Sequence, residues 1–412
     1  MNTTSLLSKK IFLFLIISIG IYTTVKAQSF EYKDSGTNFI LFDLSIPVGQ
    51  NDIAYAAGSK FTFDTEGVII KTIDGGETWE TIYPVFGTSV SFEKIEFITA
   101  NKGFVAGYDL LMKTEDGGET WTNLTVGTDV YLYNNLSFFD ENNGFVSAQL
   151  NDEPYYAIYL TADGGETWAT ADDVMEAGGI EVVYADKNTL FSVGADERIA
   201  KSIDGGNTWQ QIYSGFIQNY FVGVYFRDRE NGVVAGEDGL LMTTHDSGET
   251  WSEFSTGYHH FFGLNYVYDQ LLAAGTDGDI YSSNDNGDNW NMLHSGLTFN
   301  QLYEIEFFDN GSGLICGSGG TMIKFTDVLT DTPKNQLNEN KLRTFNNANT
   351  LTIHSENQTL ETIEIYTISG RLLASFQNNS NTFSTDISGY AKGIYLVKIN
   401  SNKQMSSFKM IK

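Results

Sequence analysis

Carboxylates are the most abundant reactive groups in this chain, and six of them recur at one place in a repeated octet. The octet reads Thr72-Ile-Asp-Gly-Gly-Glu-Thr-Trp79 and returns at 114–121, 161–168 and 202–209, with looser copies at 244–251 and 283–290. Its aspartates are Asp74, Asp116, Asp163, Asp204, Asp246 and Asp285, and each octet ends in a tryptophan: Trp79, Trp121, Trp168, Trp209, Trp251 and Trp290. Such an aspartate could ligate a metal or act as a general acid. The copies lie 39 to 47 residues apart, one to each repeating unit. They therefore diverge around the structure, whereas catalysis needs groups that converge. A structural role accounts for all three residue types. Glycine supplies positive φ in a tight hairpin, aspartate accepts backbone N–H groups across it, and tryptophan folds back onto an apolar layer.

The other candidates for chemistry are sparse. Arg198, Arg227 and Arg229 are the only arginines before residue 340, and two of them sit two residues apart. His259-His260 is the one imidazole pair. On an extended chain its rings point to opposite sides, which suits loop residues better than a shared metal. Cys316 is the only cysteine, so no internal disulfide and no cysteine metal site can form, and its place in a small-residue strand reads as packing. Residues 28–344 hold 15 basic and 48 acidic side chains, net −33, which argues against nucleic acid and anionic lipid as partners. Gly 41, Pro 4 and 14% aromatics describe many short strands and tight turns.

The elements that position these groups follow from the period. Before the octet stands an alternating run such as Ile95-Glu-Phe97 or Ile305-Glu-Phe307, then a turn, then a small-residue strand ending in glycine, as in Ala106-Gly107 and Cys316-Gly317, with Ser147-Ala148 there in the third unit. A third strand enters the octet and a fourth leaves at its tryptophan. Four strands in a unit of about forty residues make a propeller blade. The small-residue strand occurs seven times and the octet six, so the last blade lacks its outer strand. Phe30 to Thr37 aligns with Trp121 to Thr128, and residues 29–35 are expected to supply that strand. The fold class is all-β: a seven-bladed β-propeller over 28–328, followed by a small β-sandwich.

The octet resembles the Asp-box (BNR repeat) of sialidases, sortilin-type receptors and related propellers. With the Asn-Gly-Phe-Val pattern around Asn143, the units look most like photosystem II stability/assembly factor-like propellers over nearly all of 40–327. That resemblance specifies fold and leaves function open. A sialidase would require three convergent arginines and a Phe/Tyr-Arg-Ile-Pro motif, and the nearest string is Phe226-Arg227-Asp228.

A ligand is expected on the face opposite the octets, where aromatic loops gather. The residues singled out are Tyr131, Tyr133, Tyr155, Tyr156, Tyr220, Tyr258 and His259, for stacking on a glycan or gripping a protein. Convergent acids beside such aromatics would instead favour a polysaccharide hydrolase working through a carboxylate pair. Glu96, Glu181 and Glu306 are read as equivalent inner-strand positions lining the channel, either as solvated carboxylates or as a Ca²⁺ site. No other cofactor is implied.

The two ends of the chain concern delivery. Lys9-Lys10, the apolar run Ile11 to Tyr22 and Val25-Lys26-Ala27 read as a signal peptide over 1–27, leaving no membrane-spanning segment in the mature chain. Residues 329–344 have linker composition. Residues 345–412 alternate like a small β-sandwich and resemble the type A C-terminal sorting domain of the Bacteroidetes type IX secretion system. The resemblance rests on the Ser-Gly-Arg turn (Gly370, Arg371), the strand with Gly393 and Tyr395, and the Lys-Met-Ile-Lys end (Lys409, Lys412). It implies as partners an outer-membrane translocon and a sorting protease, with the cargo released or held at the cell surface.

Overall fold

Second strands such as Gly103–Gly107 are buried along their whole length, because the neighbouring blades cover both faces of each blade's middle. This explains their continuous run of small and apolar residues. Fourth strands such as Thr122–Leu124 lie at the rim and are largely exposed, hence their polar sequences. The computed structural model describes residues 29–326 and 342–411, apart from 62–64, 85–89, 153–155, 172–180, 216–219, 258, 268–269, 309, 348–349, 356–358, 368–370, 391–393 and 402–403. The expected signal peptide and most of the expected linker lie outside the described residues, as do Tyr155, Tyr258, Gly370, Gly393 and Lys412.

Seven four-stranded antiparallel sheets form the propeller. Their inner strands are Ile40–Ser45, Lys94–Phe97, Val130–Phe138, Glu181–Tyr184, Phe221–Phe226, Phe261–Val267 and Leu302–Phe307. Blades meet through aromatic contacts: Tyr55 stacks on Phe97 at 3.4 Å, Phe104 on Phe138 at 4.8 Å and Phe191 on Phe226 at 3.6 Å between ring centroids. Tryptophans close this layer from the rim, with Trp168 edge-on to both Phe104 (6.3 Å) and Phe138 (6.1 Å).

Closure of the ring falls to the first described strand. Ser29–Tyr32 pairs antiparallel with Met322–Thr326, Ser29 opposite Thr326 and Tyr32 opposite Ile323, and so completes the seventh blade. Phe30 packs on Phe325 (5.7 Å) and His294 (5.3 Å). Glu77, in the first blade's octet, receives both Lys33 and Lys324 at 2.7 Å and so ties the last blade to the first.

The second unit starts within the stretch read as linker, because Leu342–Asn347 already pairs with Thr350–Ser355. A three-stranded and a four-stranded sheet face each other across a core of Leu351, Ile353, Ile363, Ile365, Phe383, Val397 and Ile399, a β-sandwich. Among the described residues no helix is long and apolar enough to cross a membrane.

The closing strand should be worth several kcal/mol. Deleting residues 28–36 is expected to lower Tm by about 5 °C or more, since each kcal/mol moves Tm by roughly 2–4 °C in a domain of this size. Phe30→Ala should give a smaller loss in the same direction. An unchanged melt in the deletion variant would mean that the ring closes without this strand.

Candidate functional site

The six octets are hydrogen-bonded hairpins. In the first, the Thr72 hydroxyl donates to Asp74 Oδ1 (2.7 Å) and accepts from Gly76 N–H (2.9 Å). Asp74 then accepts the Thr78 amide (2.9 Å) and the Thr78 hydroxyl (2.6 Å). The same pattern holds around Asp116, Asp163, Asp204 and Asp246, and at Asp285 the Asn289 amide replaces the threonine hydroxyl. These bonds hold Asp74, Asp116 and Asp163 down to about 2. The part played by the leading Ser/Thr was absent from the sequence reading. Gly75 and Gly76 carry φ of +70° and +85°, and a Cβ on Gly76 would meet Leu314 of the neighbouring blade at 2.5 Å.

Convergence occurs instead in the central channel, where three rings of side chains are stacked. The mouth ring, on the face away from the octets, is built from β-bulges. The inner-strand register slips at Phe42, Asn134, Val222, Phe262 and Tyr303, and each slip turns that side chain towards the axis. Glu93 takes the same place in the second blade, its amide bonded to Ala106 O just ahead of the pair Lys94–Ala106. In several blades the terminal glycine of the small-residue strand makes room for the bulge: a Cβ on Gly58 would lie 2.0 Å from Ile40 O, and one on Gly275 1.9 Å from His260 O. Tyr303 stands between Phe42 (5.3 Å) and Phe262 (5.1 Å), an aromatic wall on one side of a cavity of about 210 Å³. Glu93, Asn134 and Val222 border the rest of it.

The middle ring carries the charge. Lys94 reaches Glu181 at 3.0 Å and Asp43 at 3.9 Å, and its charge also acts on Glu304. Burial alone would lower the Lys94 ammonium, but these three acids outweigh it and hold it raised. Burial pushes the carboxyls of Asp43, Glu181 and Glu304 upward against the pull of Lys94. Asn135 donates to Glu181, and among the described residues its own Oδ1 has no hydrogen-bond partner although the residue is only 5% exposed. Gly223 and Gly263 complete the ring.

The lower ring, near the octets, includes Glu96, Glu306, Tyr225 and Asn265. Burial raises Glu96 to about 7 and Glu306 to about 8. Register corrects the expected equivalence: Glu96 pairs with Phe104 and Glu306 with Leu314, whereas Glu181 pairs with Val193, in the place held elsewhere by Lys94 and Glu304. Glu181 therefore belongs to the middle ring, and Val183 fills the lower position in its blade. These carboxylates are half-buried in the channel wall. Among the described residues no group of three or more His, Cys, Asp or Glu is arranged to hold a metal ion, and Lys94 meets the acids from within their ring.

The β-sandwich covers the octet-side end of the channel. Arg371 donates to Phe138 O (3.2 Å) and lies over the Phe139 ring at 5.1 Å, with Glu96 among the acids that act on it. The Leu372 amide donates to Arg227 O (3.3 Å), and the Arg227 guanidinium lies over Tyr266 (5.2 Å) and Tyr366 (5.7 Å). Arg227 also donates to Asn286, while Arg229 pairs with Asp186 at 3.1 Å. Both serve structure on the octet side.

The described loop residues singled out from sequence do not line the mouth. Tyr133 is a correction: it is 5% exposed and donates its hydroxyl to Val126 O at 2.7 Å, so it belongs to the core between blades. Tyr131 is exposed and edge-on to Tyr108 at 5.2 Å. Tyr220 is exposed too, and Tyr156, half-buried, has its hydroxyl pushed up by burial and by Tyr220 beside it. His259 Nδ1 stands 3.3 Å from the buried Asp279 carboxylate. Cys316 is buried with its Sγ 3.3 Å from Leu41 O, and burial pushes the thiol up. Tyr395, from the strand read as part of the sorting signal, is buried in the sandwich core.

The sequence matches the family described as Photosynthesis system II assembly factor YCF48 over residues 34–181 and 166–259. Residues 347–412 match the secretion system C-terminal sorting domain. Among solved structures, YCF48 bound to D1 peptide is similar with a TM-score of 0.59 and 20% identity, over 72% of this chain and 97% of that one. YCF48 from Cyanidioschyzon merolae gives 0.56 and 19%, over 72% and 98%. The WD40 β-propeller domain of Doa1 gives 0.53 and 12%, over 72% and 97%. At these identities the likeness is one of fold. No curated protein matches the chain.

The lower ring sets a pH dependence. Glu96 and Glu306, raised to about 7 and about 8 from 4.5, keep protons that the unfolded chain has already lost. Their contribution is complete below the unfolded value and is lost as pH rises towards about 8. Octet aspartates at about 2 lose theirs only as pH falls towards that value, so the two windows do not overlap. Tm should fall between about pH 5.5 and pH 8. Glu306→Gln should raise Tm at about pH 8 and flatten that fall; an unaltered slope would place the titration elsewhere.

Proposed function

The chain belongs to the Photosynthesis system II assembly factor YCF48 family and carries a secretion system C-terminal sorting domain behind its propeller; on that footing we propose that it is an exported binding module taking a polypeptide segment at the loop-face mouth of its channel. The observation that carries this reading is the bulge ring, which spends a register slip in blade after blade to turn Phe42, Phe262 and Tyr303 towards an open cavity. Ordinary alternation would have cost nothing and left those side chains elsewhere. A solved member of the family holds a peptide, which agrees with a propeller of this type gripping a chain segment. The sorting domain supports passage through the outer membrane, to the cell surface or the medium.

A second reading, polysaccharide hydrolysis, draws on the middle ring, where Glu181 and Glu304 stand below the aromatic wall. Both carboxylates have structural work. Glu181 is held by Lys94 and Asn135, and Glu304 accepts the Ile305 amide at 2.9 Å. An acid–nucleophile pair has to be free to reach a scissile bond. Glycan binding without hydrolysis remains an outcome of the same test.

The test is a titration of the purified protein with a random peptide mixture and an oligosaccharide panel, reading thermal shift and released sugar together. A shift with peptides and no released sugar is expected. Tyr303→Ala should weaken peptide binding about tenfold, the effect of removing an aromatic anchor, while Tyr131→Ala should not. Released sugar would establish the hydrolase, and a shift with oligosaccharides alone would establish a lectin-like module. Removing residues 342–412 should leave the propeller inside the cell envelope; surface display without them would refute the export route.

A further inference from the structure

The mouth can be read for the chemistry of its ligand, and this step rests on the binding site proposed above. We infer that the anchoring group is a cation, a lysine or arginine side chain of a polypeptide partner inserted between the aromatic wall and the carboxylates of the middle ring.

Charge balance comes first. Asp43, Glu181 and Glu304 surround a single ammonium, Lys94, and Glu93 adds a fourth carboxyl at the rim. Burial pushes all four upward although Lys94 pulls each of them down. Unused acceptors come second. Among the described residues Asn134 Oδ1, at the edge of the cavity, has no partner, and neither has Asn135 Oδ1, which borders the adjoining octet-side part of the channel. A carbonyl oxygen takes a donor, and lysine and arginine side chains are donors without acceptors.

The aromatic wall is the third observation and is independent of the acids. Tyr303 between Phe42 and Phe262 presents ring faces that attract cations, more strongly as the site is drier. Size is the fourth. About 210 Å³ falls below the roughly 300–1,000 Å³ of sites that enclose whole small ligands. It suits one long side chain whose parent segment lies across the loop face. The net −33 of residues 28–344 would steer a basic partner towards the propeller.

The experiment uses the purified protein and three N-acetylated pentapeptide amides, Gly-Ser-X-Ser-Gly, with X arginine, lysine or citrulline, the last a neutral isostere of arginine. Calorimetric titration should show both basic peptides binding and the citrulline peptide binding at least tenfold more weakly, with affinity falling as salt is added. Tyr303→Leu and Glu304→Gln should each weaken the arginine peptide at least fivefold, and Tyr131→Ala should leave it unchanged. The arginine–citrulline comparison needs no variant, so a substitution that unfolds the protein leaves the test intact. Equal binding of arginine and citrulline peptides would overturn the cation and leave the polypeptide reading standing. Failure of all three at 10 mM, with cellohexaose binding instead, would overturn both.

Discussion

The innermost strand of every blade is a sheet edge, and everything in the channel answers to that fact. An edge presents amides and carbonyls with no neighbouring strand, and buried backbone groups must find partners. Here adjacent blades supply them through side chains. Asp43 accepts the Ile95 amide (2.7 Å), Ser45 the Phe97 amide (2.8 Å) and Glu96 the Phe138 amide (3.1 Å), while Asn265 donates to Ile305 O (2.9 Å). The channel is therefore polar by necessity. Because strand N–H groups are donors, the acids among its side chains are suited to meet them.

That solution creates its own difficulty, since it gathers carboxylates in a confined space. Each end of the channel meets it differently. At the loop side Lys94 supplies one ammonium among three acids. At the octet side Glu306 stays mostly neutral near pH 7 and Glu96 is about half so, and the Arg371 guanidinium of the β-sandwich lies among the charges acting on Glu96. The octets take no part in this. Their aspartates spend their lone pairs on their own hairpins and hold the rim in shape.

Much of the fold was legible because it depends on spacing. The octet period, the small-residue strand and the surplus of one strand over the octets were enough for seven blades and for an N-terminal strand closing the last. The site was less legible because it depends on register. One inserted residue exchanges the faces of a strand, and the slip before Asp43, Asn135, Gly223, Gly263 and Glu304 cannot be told from ordinary alternation when each blade is read alone. For the same reason Tyr133 read as a loop aromatic and proved to be core; Glu181 was grouped with Glu96 instead of Lys94 because its blade was aligned two residues out of step, which keeps the face and changes the ring. One signal was available. Aligning the blades on Leu44, Ile95, Leu136, Val182, Val224, Leu264 and Ile305 puts Phe42, Phe262 and Tyr303 in one column with Glu93 and Asn134.

The two ends of the channel are built differently, and the difference follows from what borders them. On the octet side the sandwich adds Thr367, Arg371, Leu373 and Tyr390 to the channel wall, so that end faces protein. On the loop side the bulges splay the inner strands, leave two asparagine oxygens without partners among the described residues and set three aromatic rings along one side of an opening. Side chains of the rings beneath already satisfy backbone groups at Ile95, Phe97, Phe138 and Ile305 without it. Aromatic surface and unused acceptors retained at the open end are costs to folding, and binding at that end is the function that would repay them.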